Sequence, residues 1–198
     1  MKLEAIKTIP KDATSAIIFA HGSGSGRLSP RNQYVAQILN EAGFATLLVD
    51  LLTPEEDQHY QTRFDIDLLT DRLIQAINML KQEPSTSKLK IGLFGASTGA
   101  AAALKAATDY SLHIEAIVSR GGRPDLAGNS LPKVNAPTLL IVGGSDTGVI
   151  GLNEMAFNTL SCEKELFIVP NATHLFEETG ALEQVAALAV KWFNKFLK

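Results

Sequence analysis

The sequence predicts an α/β fold in which a mostly parallel, twisted sheet carries helices on both faces. Short apolar runs of strand length alternate with longer stretches whose apolar residues recur at helical spacing. The runs are apolar throughout, as at Ala16-Ile17-Ile18-Phe19-Ala20 and Thr138 to Val142, which reads as strands covered on both sides. Several of them lead straight into glycine-rich turns, among them Gly95-Ala96-Ser97-Thr98-Gly99. No linker, internal repeat, low-complexity tract or separate lid domain is visible, so residues 1–198 are expected to form a single domain.

In chain order, Leu3 to Ile9 alternates apolar and polar residues, which suits a half-exposed strand at a sheet edge. Ser15 to Ala20 is a buried strand that runs into His21-Gly22-Ser23-Gly24-Ser25-Gly26-Arg27. Ser29 then reads as a helix N-cap with Pro30 at the first helical position, and Gly43 ends that helix. Phe44 to Val49 is the next buried strand, closed by Asp50. Residues 53–63 are polar and without a clear period, which predicts an irregular excursion over the active edge of the sheet. Ile66, Leu69, Leu73, Ile77 and Leu80 mark a helix, with Pro84 at its exit.

Leu89 to Phe94 is a strand leading into the turn at Ser97, and the alanine-rich helix after it is expected to end near Asp109. A strand over 114–119 precedes the loop Arg120-Gly121-Gly122-Arg123-Pro124. Thr138 to Val142 ends in Gly143-Gly144-Ser145-Asp146, with a helix from about Gly151 to Leu160 packing through Leu152, Met155, Ala156 and Leu160. Glu165 to Val169 is the last strand, followed by Pro170-Asn171-Ala172-Thr173-His174. The final helix buries Leu182, Val185, Ala189, Trp192, Phe193 and Phe196, and its lysines at 191, 195 and 198 favour the negative end of the helix dipole.

The totals narrow the function. A net charge of −3 with both signs interspersed carries no signature of nucleic-acid or polybasic membrane binding. Cys162 is the sole cysteine, which excludes an internal disulfide and fits a reducing, cytoplasmic setting. The run Ala16 to Ala20 is too short for a secretory signal, and no stretch approaches the roughly 20 apolar residues of a membrane helix. No metal-ligand spacing occurs, so neither a metal nor another cofactor is expected.

The chemistry is carried by strand ends, where ligands bind in open α/β sheets. Gly95-Ala96-Ser97-Thr98-Gly99 is a G-x-S-x-G turn between a strand and a helix. Such a turn strains the serine backbone and crowds its surroundings, so the positions two before and two after must be nearly free of side chain. A serine hydroxyl needs a base to take its proton, an acid to orient that base, and donors for the developing oxyanion. Ser97, Asp146 and His174 follow one another at successive strand ends, in the order nucleophile, acid, base. Taken singly, Asp146 reads as a turn or cap residue and His174 as packing or surface. Their order and placement behind the turn select the catalytic reading. His59 and His113 have no such partners and read as surface or packing residues.

On these motifs the chain resembles the α/β-hydrolase superfamily, and within it the compact dienelactone-hydrolase-like group. The resemblance spans essentially the whole chain: His21-Gly22 after the second strand, the Ser97 turn, Gly143-Gly144-Ser145-Asp146, and Ala172-Thr173-His174-Leu175-Phe176-Glu177. It implies acyl-transfer chemistry on a small-molecule ester, thioester or lactone, by hydrolysis or by transfer to another acceptor. Dienelactone hydrolases proper carry cysteine at the turn, where this chain has Ser97, and Cys162 lies ahead of a strand and cannot replace it. The resemblance also implies an oxyanion hole from the N–H groups of Ser23 and Thr98, with Gly22 or Gly24 in place of Ser23 if the loop is shifted. His21 is expected to prop this loop. A monomer and a homodimer are equally compatible with the resemblance.

Two other readings remain. A strand, Gly22-x-Gly24-x-Gly26, a helix and then Asp50 echo a dinucleotide site, but the spacing is not G-x-G-x-x-G and Ser97, Asp146 and His174 go unexplained. A ligand-binding protein on the same fold would typically have lost one of those three residues. Finally, Arg27, Arg31, Arg120 and Arg123 all follow strands, and an arginine fork suits a carboxylate or phosphate. Arg120, with Arg27 beside it, is expected to bind an anionic substrate group at the rim, or else these arginines tie loops to acidic residues such as Asp50 and Asp125.

Overall fold

The structure is a computed structural model that describes residues 3–198. Seven strands form one sheet: β1 (Ala5–Thr8), β2 (Ser15–Ala20), β3 (Ala45–Val49), β4 (Lys90–Ala96), β5 (Ile114–Arg120), β6 (Thr138–Gly143) and β7 (Lys164–Val169). Their order is β1-β3-β2-β4-β5-β6-β7, with β1 antiparallel at one edge and every other neighbouring pair parallel. The register sets Ala20 beside Gly95, Ala96 beside Arg120 and Gly143 beside Val169. The carboxyl ends of five parallel strands are thereby brought nearly level, and the turns that leave them share one edge.

The pleat sorts the strand residues between two cores. Ile18, Leu93, Ile117 and Leu140 face α3 (Ile66–Gln82), α4 (Thr98–Ala106) and α5 (Thr147–Thr159). Ile17, Phe19, Phe94, Val118 and Ile141 face α1 (Pro30–Glu41) and α6 (Ala181–Leu197). The α/β expectation of helices on both faces is met, and no lid is present among the described residues. α1 starts as its sequence requires, with Pro30 in the first turn and the Ser29 hydroxyl accepting from the Asn32 N–H at 3.4 Å. α6 lays Val185, Ala189, Trp192, Phe193 and Leu197 on the sheet, and the Ser15 hydroxyl donates to the Leu197 carbonyl at 2.8 Å. No helix among the described residues is long and apolar enough to cross a membrane.

The structure differs from the expectations at four places. Residues 53–63 are ordered as a short helix, α2 (Pro54–Asp57), and a 3-10 turn over Tyr60–Phe64. Thr53 and Glu56 close α2 with a reciprocal capping box, which needs no apolar period. α4 stops at Ala106 instead of Asp109, and a 3-10 turn over Tyr110–Leu112 takes up the remainder. Pro124–Lys133 likewise holds 3-10 turns, broken at Gly128. α5 begins at Thr147, four residues before the expected start, because Gly148 and Gly151 disguise its first turn. Ala156 and Leu160 are buried as the sequence predicts, but Met155 is exposed and Asn153 is buried in its stead.

Candidate active site

β4 ends at Ala96 and α4 begins at Thr98, so Ser97 makes the whole connection. Its backbone takes φ +50° and ψ −119°, a conformation that β-carbons resist. Three glycines make room for it. A β-carbon on Gly99 would lie 2.1 Å from the Ala20 carbonyl oxygen, and one on Gly95 would lie 2.4 Å from the Ala100 α-carbon. A β-carbon on Gly22 would lie 2.9 Å from the Ser97 β-carbon, so the glycine loop after β2 rests directly on the serine. The turn is pinned from the next strand: the Ser97 N–H donates to the Arg120 carbonyl at 3.3 Å, and the Arg123 N–H donates to the Ser97 carbonyl at 3.0 Å.

Thr98 is the first residue of α4, where an N–H has no acceptor within its own helix. Its side chain is buried and its hydroxyl has no hydrogen-bond partner among the described residues. The loop carrying Ser23 is held from below by His21. The imidazole Nδ1 donates to the Gly22 carbonyl at 3.0 Å while Nε2 accepts from the Leu51 N–H at 2.8 Å, a pattern that requires the neutral ring. Burial pushes its pKa below the ordinary imidazole value, against the Gly22 carbonyl, Asp50 and Asp57, which act in the opposite direction. From the far side Arg63 reaches this loop; Asp57 fixes its Nε at 3.0 Å, and Nη1 comes within 3.4 Å of where a β-carbon on Gly24 would sit.

At the other end of the edge, Asp146 and His174 meet. Nδ1 of His174 donates to Asp146 Oδ2 at 2.6 Å. Asp146 occupies the N-cap position of α5 without capping it, because its carboxylate is turned toward the histidine. With Nδ1 so engaged, Nε2 is the nitrogen left for other work. His174 lies in a tight loop in which Asn171 and Phe176 both adopt positive φ, at 61° and 56°. Glu178 accepts from the Thr173 N–H at 3.0 Å, which draws its carboxyl below the usual range, while Gly121 leaves space for the loop to pass. A β-carbon there would meet the His174 carbonyl oxygen at 3.1 Å. Among the described residues no hydrogen bond joins Ser97 Oγ to His174, a contact that in free enzymes is often long and tightens with substrate.

Ser97, Thr98 and the loop of Ser23 therefore come together, and Asp146 is joined to His174 across the same edge. The side chains of the two arginines are engaged away from the rim. Arg27 is drawn to Asp50, whose Oδ1 also accepts the Arg27 N–H at 2.5 Å, and to Glu4 at 3.5 Å. Arg120 is the last residue of β5, not a rim residue, and its side chain is only 6% exposed. The alternation Ala116, Val118, Arg120 was the signal that it would point into the α1 and α6 layer. Arg63 and the Thr173–Glu178 brace had no comparable signal, since each depends on how loops fold back.

The comparisons with known proteins agree with this architecture. The model of the dienelactone hydrolase family matches residues 3–198. A solved dienelactone hydrolase from Anabaena variabilis is 54% identical, with a TM-score of 0.96, and covers 100% of this chain and 94% of its own. Est1E from Butyrivibrio proteoclasticus, solved with ferulic acid, shares the fold at a TM-score of 0.82 but only 17% identity, over 98% of this chain and 95% of its own. Two proteins of Mycobacterium tuberculosis, provisionally named phosphoribosyl transferases, are 57% identical over 186 residues. That match takes in 94% of this chain and 42% of theirs, so the chain spans about two fifths of their length. The family match rests on nearly every residue, and the chain belongs to the dienelactone hydrolase family.

Proposed function

We propose that this hydrolase cleaves a small ester, thioester or lactone through an acyl-enzyme on Ser97. The observation that carries the reading is the 2.6 Å bond between His174 Nδ1 and Asp146 Oδ2, formed on the same sheet edge as the strained Ser97 turn. Nε2 of His174 takes the proton from Ser97 as its oxygen attacks the carbonyl carbon. Asp146 holds the tautomer that leaves Nε2 free to accept, and stabilises the ring once it is charged. The carbonyl electron pair moves to oxygen, and the N–H groups of Thr98 and Ser23 receive that charge. When the carbon–oxygen or carbon–sulfur bond breaks, the proton on Nε2 passes to the leaving group. Water then repeats the sequence on the acyl-serine, with His174 again as base, and releases the acid.

The name of the mycobacterial relatives does not alter this reading, because this chain matches only 42% of their length, whereas the dienelactone hydrolase family model matches residues 3–198 of this chain. The test is the intact mass of the protein after exposure to a fluorophosphonate. A single adduct on the native chain, absent from Ser97→Ala, is the expected result, with ester turnover in that variant lower by about 10⁴-fold or more. A folded native chain that takes no adduct would overturn the proposal.

A further inference from the structure

Among the described residues Arg120 is a buried cation with no carboxylate partner. Its Nη2 donates to Asn32 Oδ1 at 3.2 Å, its guanidinium carbon lies 5.8 Å from the centre of the Phe176 ring, and its Nε has no hydrogen-bond partner among the described residues. The charged group facing it is a second cation, Arg31, and burial together with that neighbour lowers the Arg120 pKa to about 10. The side chain is still protonated at neutral pH. Keeping such a charge out of water carries a desolvation cost that no opposite charge offsets here. A cost of this kind calls for a return of another sort.

The three contacts of Arg120 lead to three parts of the site. Its backbone carbonyl receives the Ser97 N–H. Asn32 belongs to the first turn of α1, which emerges directly from the glycine loop that carries Ser23. Phe176 is two residues beyond His174; it is 1% exposed and holds φ +56°, a conformation that a bulky side chain keeps only when its surroundings impose it. Gly121, the residue after Arg120, passes so close to this loop that a β-carbon on it would lie 3.1 Å from the His174 carbonyl oxygen and 3.3 Å from the Phe176 ring. An outer link runs parallel to this one, from Arg31 Nη1 to Glu177 Oε1 at 3.0 Å, but Glu177 is 63% exposed and such pairs contribute little. The inner link is the strong one.

We propose that Arg120 is a positioning residue, whose buried guanidinium ties the first turn of α1 and the loop of His174 to the Ser97 turn. The guanidinium carbon sits over an aromatic ring while Nη2 donates to an amide oxygen, a combination that a lysine ammonium reproduces only in part. The proposal rests on the serine-hydrolase reading above. Arg120 touches no substrate, so its loss acts on the rate at which bound substrate reacts rather than on binding.

The test uses the full chain, with a small activated ester as substrate and a fluorophosphonate as probe. Arg120→Met is expected to fold, with a melting temperature lowered by no more than the loss of one buried hydrogen bond to Asn32. Its kcat and its rate of fluorophosphonate adduct formation should fall about 10- to 100-fold, the scale set by misplacing reacting groups by about 1 Å, with KM within about twofold. Arg120→Lys should recover part of the rate. Asn32→Ala, which leaves the charge in place, should show the same loss of kcat, and the two losses should not multiply in the double variant. Native kcat in Arg120→Met would overturn the proposal, as would losses that multiply. If Arg120→Met fails to fold, Asn32→Ala decides: an unchanged kcat refutes the link, a reduced one supports it. A native protein that takes no adduct sinks the hydrolase reading and this proposal with it, whereas native adduct formation with an equal rate in Arg120→Met sinks the proposal alone.

Discussion

His21 shows how one side chain can hold a loop in place through both of its ring nitrogens. Both ring nitrogens are used, one toward Gly22 and one toward Leu51, and the second bond exists only if Nε2 carries no proton. Its pKa in the folded chain lies below the ordinary value of about 6.5 that it regains on unfolding. In acid the unfolded chain therefore binds the proton more readily, so stability rises with pH across this window and falls as pH drops below about 6.5. Thermal melts from pH 7.5 to 5 should show this decline, and His21→Gln should flatten it while lowering stability at pH 7.5 by about 1–3 kcal/mol for the lost bonds. Identical slopes in the two proteins would refute the assignment. The role was legible in the sequence because His21 stands directly before the glycines it supports. The burial of Arg120 was not read, because a charged residue beside two glycines looks like a loop and only the two-residue alternation of β5 says otherwise.

The turn between β4 and α4 was the most legible element, since its requirements are local and steric. Glycine at 95 and 99 follows from how closely neighbouring backbone passes, and that is written in the motif itself. Gly99→Ala should cost about 3 kcal/mol or more, because the Ala20 and His21 carbonyls that it would strike are backbone and cannot turn aside. Urea denaturation measures this, and a loss below about 1 kcal/mol would show that β2 and α4 separate more easily than their contact implies. Elements without a period were harder to see. α2 is set by a capping box of four residues, and α5 hides its start behind two glycines. Asp146 stands where a cap residue would, and only the spatial approach of His174 turns its carboxylate away from the helix. Distance in the chain conceals that pairing; order along the chain revealed it.

For the molecule as a whole, the class of fold and the edge position of β1 could be read from periodicity, but the strand order could not. Order depends on which apolar faces fit one another, and that information is spread over residues far apart. α6 is the clearest case: it packs on α1 and on the face of β2, β4, β5 and β6, and the end of β2 is fastened to its last turn. A chain ended after Gly180 is expected to lose cooperative thermal unfolding and near-ultraviolet dichroism, and a sharp transition in that variant would show that α6 is dispensable. The same arrangement bears on how the protein is made. During synthesis every strand of the sheet has been made before residues 181–197 exist, and the row Ile17, Phe19, Phe94, Val118 and Ile141 must wait for α6 with only α1 to shelter it. Until α6 arrives, the nascent chain thus exposes an apolar face of the kind that makes incompletely folded chains prone to association. Its reactive edge, by the same ordering, can assemble only once translation has passed the helix that seals the back of the sheet.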